Sequence, residues 1–297
     1  MQHLNFSTWK RLWVILPAYA WLILFFLLPF ILVILISFSE VRDSIPPYEL
    51  FMHFNDGKFS INPYLDNYKL IFKDQIYILA YIDAVKLALI STIIALIIGY
   101  PIAYGIYRAH KKMKPILLAL LIIPFWTSSL IRVYAWISLL RMKGLINQLL
   151  LSAGFIDEPL RMMNTEFAAI IGIVYSYLPF MVLPIYSILE RLNISLIEAA
   201  MDLGCTTFRA FMRVTLPLSM PGIISGCVLM FIPAVGEFVI PDLLGGSQVV
   251  TIGKVIWNEF FLNRDWPVAS AITTIMTLAV IIPIMVIQRV LVKRADR

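Results

Sequence analysis

Charge is what this chain has least of. Only 14% of its 297 residues are Asp, Glu, Lys or Arg and 61% are hydrophobic, whereas an average soluble domain is about a quarter charged and about half apolar. A chain of this composition belongs in a bilayer. Cysteine is scarce too: Cys205 and Cys227 make no disulfide framework and read as small residues in place. The three histidines, His3, His53 and His110, are scattered over the terminus and loops. That excludes a His-based metal site or nucleophile triad, so no catalytic or metal-ligating residue is assigned. No G-x-x-x-x-G-K-[ST] phosphate loop occurs, so the chain has no ATPase site or cofactor of its own. Internal repeats and low-complexity tracts are also missing.

What is present is a series of long apolar runs. Six reach the roughly 20 residues that a membrane helix needs, at 12–39, 87–107, 115–140, 167–189, 214–236 and 267–288. The first follows Lys10 and Arg11, as a secretory signal would, but it is far longer than a signal's apolar core of about 7–15 residues. It reads as a retained anchor. The net charge of +6 sits at span ends and in short loops, without a nucleic-acid-binding motif, so membrane topology accounts for it. With the N-terminus inside, the inner segments carry 13 Lys and Arg in 51 positions and the outer ones 10 in 103. This density difference places both termini in the cytoplasm. The expected fold is an all-α integral membrane protein with six transmembrane helices, forming a single domain over 1–297.

The outer loop from Glu40 to Lys86 holds turn signals at Pro46-Pro47, Asp56-Gly57 and Asn62-Pro63, then a candidate interfacial helix at 64–68. The inner loop Arg108-Ala109-His110-Lys111-Lys112-Met113-Lys114 is the strongest topological anchor. In the third span Pro124 breaks the helix, and Thr127, Ser128 and Ser129 offer replacement hydrogen bonds. This stretch, with Trp126 and Tyr134, reads as a cavity-lining helix or as a spine of packed aromatics. Arg132 lies near the outer interface, where snorkelling to water is expected. The prolines of the fourth and fifth spans imply bent helices. Near the outer end of the fifth span Glu237 is bracketed by apolar residues, with Asp242 five residues on. An ionisable group at that depth is a functional candidate; the other reading is a headgroup carboxylate, hydrated or paired with Arg132.

Between the fourth and fifth spans lies a polar, helix-forming island, 198–217, reading EAAMDLGCTTFRAFMRVTLP. Its first six residues are without β-branching. Gly204 suits the left-handed turn that ends a helix, and Thr206 or Thr207 suits the cap of a second one. The outcome is a helix, a sharp turn and a helix at the inner water boundary.

This island resembles the cytoplasmic coupling loop of the binding-protein-dependent ABC transporter permeases. Glu198-Ala199-Ala200, Gly204 and Leu216-Pro217 stand at that pattern's offsets, with Val214 where it has Ile. Further strings extend the likeness over nearly the whole chain, among them Ile123-Pro124-Phe125-Trp126, Leu178-Pro179-Phe180-Met181 and Asn263-Arg264-Asp265-Trp266-Pro267. These look like the polyamine (spermidine/putrescine) branch, and most like its putrescine permeases. The resemblance implies the type I ABC importer fold in a bacterial inner membrane, without enzyme activity of its own. The implied partners are a second, similar permease in a heterodimer, two ATPase subunits that bind ATP and magnesium, and a periplasmic polyamine-binding protein. It implies that Glu198, Ala199, Ala200, Asp202, Gly204, Leu216 and Pro217 carry the coupling to the ATPase.

Carboxylates and aromatic faces suit a polycation, so Glu237, Asp242, Trp126 and Tyr134 are the candidate substrate pathway. Outer segments hold 14 acidic against 10 basic residues, which suits entry of a cation. A permease of this architecture for an amino acid or an oxyanion is the alternative, and Arg132 is its one candidate for meeting an anion. An ion-coupled carrier would show carboxylate or histidine relays through its spans, and those are missing here.

Overall fold

Among the described residues of the computed structural model, five helices are long and apolar enough to cross a membrane, and a bent pair makes a sixth if it is counted as one span. The structure describes residues 15–55 and 58–295. The residues before 15, including the first part of span 12–39, and the turn at Asp56-Gly57 lie outside the described residues. The chain divides into two compact units, 1–78 with 255–297, and 79–254.

In the first unit α1 (Ile15–Ser37) is apolar on every side and exposes nearly all of it, as a lipid-facing helix does. Its last carbonyls would be orphans. The buried Asn67 meets them, donating Nδ2 to the carbonyls of Ser37 at 3.0 Å and Ser39 at 2.9 Å. Asn67 belongs to α2 (Asp66–Lys73), two residues beyond the start expected for the interfacial helix. Tyr68 from the same helix stacks against Phe38 and bonds the Ser37 hydroxyl at 2.7 Å. The outer loop is more ordered than its turn signals imply. It forms two short antiparallel hairpins, β1 (Glu40–Val41) with β2 (Tyr48–Glu49), and β3 (Met52–Asn55) with β4 (Lys58–Ile61).

The second transmembrane helix, α3 (Gln75–Arg108), begins twelve residues before the expected span. Asp83 and Lys86 interrupt the apolar run without ending the helix, and the Lys86 ammonium is neutralised by Glu166 at 2.9 Å. The third span departs most from a simple rod. Helix α4 (Lys114–Ile122) tightens into a 3₁₀ turn over Ile123–Trp126, stops, and resumes as α5 (Ser129–Leu140) and α6 (Leu145–Ser152). The two halves meet at 92°. Pro124 removes a donor at the break, and the Thr127 hydroxyl caps the exposed Pro124 carbonyl at 2.7 Å.

The prolines of the fourth and fifth spans do not interrupt their helices. Helix α7 (Glu166–Glu190) runs unbroken through Pro179 and Pro184, and α8 (Ile194–Asp202) leads to α9 (Thr207–Gly236), which runs through Pro217, Pro221 and Pro233. The two long helices pack along a seam of small residues. A Cβ on Gly222 would lie 2.9 Å from the Pro184 carbonyl, and one on Gly226 2.9 Å from that of Met181. Glycines four apart let backbones approach in this way, and van der Waals packing there replaces the hydrophobic drive that lipid removes. After a short helical turn at Pro241–Gly245, α10 (Ile252–Trp257) passes through a wider turn at Asn258–Leu262. The last helix, α11 (Trp266–Ala295), returns to the first unit, packs on α1 and α2, and is capped by Asp265, whose carboxylate accepts from Val268 N at 3.0 Å.

Candidate functional site: an inner elbow and an intramembrane carboxylate

The inner elbow is built as its sequence requires. Asn193 caps α8 by accepting from Ser195 N at 3.1 Å. The helix ends where Gly204 takes φ +86°. There the Gly204 amide donates to the Met201 carbonyl at 2.9 Å and the Cys205 amide to that of Ala200 at 3.1 Å. These two bonds define a Schellman turn, which satisfies the last carbonyls of a helix only if the residue after the cap is left-handed. Thr206 then caps the next arm, accepting from Arg209 N at 3.4 Å. Glu198, Ala199, Asp202 and Pro217 are exposed, and Ala200 and Leu216 half-buried. Leu203 and Phe208, on either side of the turn, are 87% and 71% exposed. An apolar pair so open at an aqueous boundary is the chemistry of a docking surface.

The second arm is not a separate helix. It is the first part of α9, widened over Phe211–Thr215 and continuous with the fifth span. Phe211, which the sequence did not single out, sets its ring edge-on to Tyr100 at 5.8 Å and Tyr104 at 5.3 Å of α3. The Tyr100 hydroxyl also bonds that of Ser219 at 3.0 Å. The elbow is thus fixed to two spans.

At the other end of α9 the helix stops at Gly236 and restarts at Val239. Glu237 occupies the gap. Its Oε1 accepts from the amides of Val239 at 3.0 Å and Ile240 at 3.4 Å, and its Oε2 accepts the Tyr177 hydroxyl. The half-buried carboxylate is therefore held by Tyr177 and these two amides, and the Arg132 Nε and Nη1 take no part. It caps a helix restart, where the exposed amides favour negative charge. Tyr177 stacks on Phe180 with centroids 6.0 Å apart, and Phe180 meets Phe125 edge-on at 5.5 Å. The Arg132 guanidinium lies over the Phe125 ring, 4.7 Å from its centroid. The expectation that Arg132 snorkels to water is corrected: its Nε and Nη1 are buried and without a hydrogen-bond partner. Cation–π attraction offsets part of that cost, by up to about 2 kcal/mol where the pair is desolvated.

The other expected pathway residues are placed apart from this cluster's hydrogen bonds. Trp126 is 85% exposed beside the break in the third span, and Tyr134 is exposed one turn along α5. Asp242 pairs with Lys254 at 2.7 Å, and Lys254 also donates to the Gly246 carbonyl at 3.4 Å. Lys254 was a findable partner, a single cation in an otherwise apolar run. Tyr177 and Phe125 carried no such signal.

Apolar spans with a polar elbow at the inner start of the fifth and a capped carboxylate at its far end suit a membrane-spanning transport subunit. The chain belongs to the family of binding-protein-dependent transport system inner membrane components, whose model matches residues 4–297. It is 44% identical to the spermidine/putrescine transport system permease protein PotB of Haemophilus influenzae, over 91% of this chain and 90% of that one. It is 41% identical to the PotB protein of Escherichia coli, over 92% and 94%. In fold it is similar to a bacterial ABC transporter involved in the import of the acidic polysaccharide alginate. There the TM-score is 0.68 at 15% identity, over 96% of both chains. The chain is accordingly a multi-pass inner-membrane protein with the type I permease fold.

Proposed function

We propose that this chain is the permease subunit of an importer of spermidine and putrescine. One observation carries the reading: identity of 41–44% over nine-tenths of relatives that bear those polyamines in their names. The site adds a chemical argument. Tyr177 and Phe180 offer ring faces beside the Glu237 carboxylate, and each face holds an ammonium by about 0.5–2 kcal/mol. Glu237, Asp242, Trp126 and Tyr134 form the substrate pathway in this reading. Asp242 becomes available to a passing ammonium by exchange with the Lys254 head.

Work is supplied from outside the chain. The elbow, with Glu198, Ala199, Ala200, Asp202 and Gly204, docks in a separate ATPase subunit, of which two copies bind ATP and magnesium. Leu216 and Pro217 begin the span that carries the motion inward. ATPase closure draws the elbow of this chain and that of a second, similar permease together. The cavity between the two permeases then opens outward to a loaded periplasmic binding protein, and hydrolysis resets it.

A second reading, transport of an anion, rests on the unpartnered nitrogens of Arg132. Uptake of labelled putrescine and spermidine decides, in cells lacking their own polyamine uptake and given this chain with its partner subunits. Accumulation of either supports the reading. Accumulation of neither, with a binding protein that captures an anion, refutes it.

A further inference from the structure

The inner connection between α3 and α4 is basic, and it is shaped. Met113 N donates to the His110 carbonyl at 2.7 Å and Lys114 N to the same oxygen at 3.3 Å, while Lys112 N reaches His110 Nδ1 at 3.4 Å. The turn is thereby held, and it walls a cavity of about 870 Å³ together with the inner end of α7 and the first residue of α8. Arg108, Lys111 and Lys114 line it against one carboxylate, Glu190. That carboxylate is engaged by the Tyr186 hydroxyl at 2.7 Å, and the Lys114 ammonium stands 5.5 Å from the centre of the Tyr107 ring. Leu118 and Ile194 supply an apolar wall.

We propose that this cavity binds the phosphodiester headgroup of an anionic phospholipid from the inner leaflet. Arg108, Lys111 and Lys114 surround the phosphate, and Leu118 and Ile194 receive the first part of an acyl chain. Three cations against one carboxylate repel a polyamine, so the cavity is no part of a cation pathway. Its place at the inner ends of two spans is where headgroups lie, and basic pockets between spans on the cytoplasmic side are suited to them. Its volume is that of an ordinary ligand site. Ile194 opens the elbow's first helix, so a lipid lodged here steadies the elbow's base.

The test is native mass spectrometry of the assembled transporter titrated with phosphatidylglycerol, with zwitterionic phosphatidylcholine, of zero net charge, as the control and inorganic phosphate as competitor. It reads lipid retention and is independent of which solute is carried. Wild type is expected to retain phosphatidylglycerol in preference to phosphatidylcholine. The pair Lys111→Gln with Lys114→Gln is expected to lose about 25-fold in retention, at roughly fivefold per surface charge. Glu190→Gln, which removes the opposing charge and leaves the basic anchor whole, is expected to gain about fivefold; it decides the matter if the pair fails to reach the membrane. Equal retention of both lipids, or indifference to these substitutions, overturns the proposal. Displacement of the lipid by millimolar inorganic phosphate overturns it in favour of a free-anion site.

Discussion

Substitution of Gly204 isolates the elbow's geometry from its contacts. A Cβ at this position meets nothing within 4 Å, so alanine adds no clash and its whole effect is the cost of φ +86°. For a non-glycine residue that is about 1–2 kcal/mol. Against it stand the two Schellman bonds from Gly204 N and Cys205 N, each worth about 1 kcal/mol net. The terms are close to balance, so an alanine elbow divides its time between the built turn and a frayed one. Docking in the built geometry then weakens by up to about twofold, in proportion to the fraction of elbows still built. Asparagine, which tolerates the left-handed region, is expected to lose less, and valine, β-branched, more. The assay is ATP hydrolysis by the assembled transporter, stimulated by its loaded binding protein, alongside the abundance of each variant in the membrane. The expected order of coupling is Gly, Asn, Ala, Val at unchanged abundance. Wild-type coupling in the valine variant refutes the argument that a left-handed turn transmits the stroke.

Other outcomes follow from the packing and the charges. Gly226→Val forces a branched side chain against the Met181 carbonyl and is expected to cost about 1–3 kcal/mol as overpacking. Gly105→Ala, where a Cβ meets nothing, is expected to gain about 0.5–1 kcal/mol; thermal unfolding in detergent reads both. Glu237→Gln keeps the shape of the cap and the Tyr177 partner but loses the charge, so uptake is expected to fall severalfold at unchanged assembly; unchanged uptake kinetics removes Glu237 from the pathway. Burial, with the nearby Glu259 charge, pushes the Asp265 carboxyl up, against the opposing pull of Val268 N–H. The unfolded chain then ionises Asp265 first, so its share of stability is whole below about pH 4 and falls as pH rises through the raised folded value. Asp265→Asn, still a good cap, is expected to flatten that fall above about pH 4; an identical profile in thermal unfolding rejects it.

The parts visible in the sequence were those set by local rules. Apolar run length placed the spans, and the spacing of Glu198, Gly204 and Leu216-Pro217 placed the elbow, because a helix end needs its glycine at a fixed offset. Asp83 and Lys86 concealed the true start of α3, since a hydropathy reading does not see that Lys86 meets Glu166 eighty residues away. The pairing of Asp242 with Lys254 crosses two irregular turns that no period describes. Arg132 misled for a related reason. Depth along a straight helix put it at the interface, but the 92° break re-aims everything after Trp126, and the guanidinium lies against Phe125 instead. The prolines of α7 and α9 are accommodated without a break in either helix, beside a tight glycine seam.

That seam lies beyond the middle of α9, whose 30 residues span about 45 Å at 1.5 Å each. Gly222 and Gly226 are therefore a fulcrum with unequal arms, about 26 Å toward the elbow and about 18 Å toward the gap that Glu237 fills. For a rigid helix, a tilt of about 10° about that point swings the inner tip by about 4 Å and the outer one by about 3 Å, in opposite directions. Displacement at the cytosolic tip thus arrives at the carboxylate reversed and about a third smaller, as on a seesaw with an off-centre pivot.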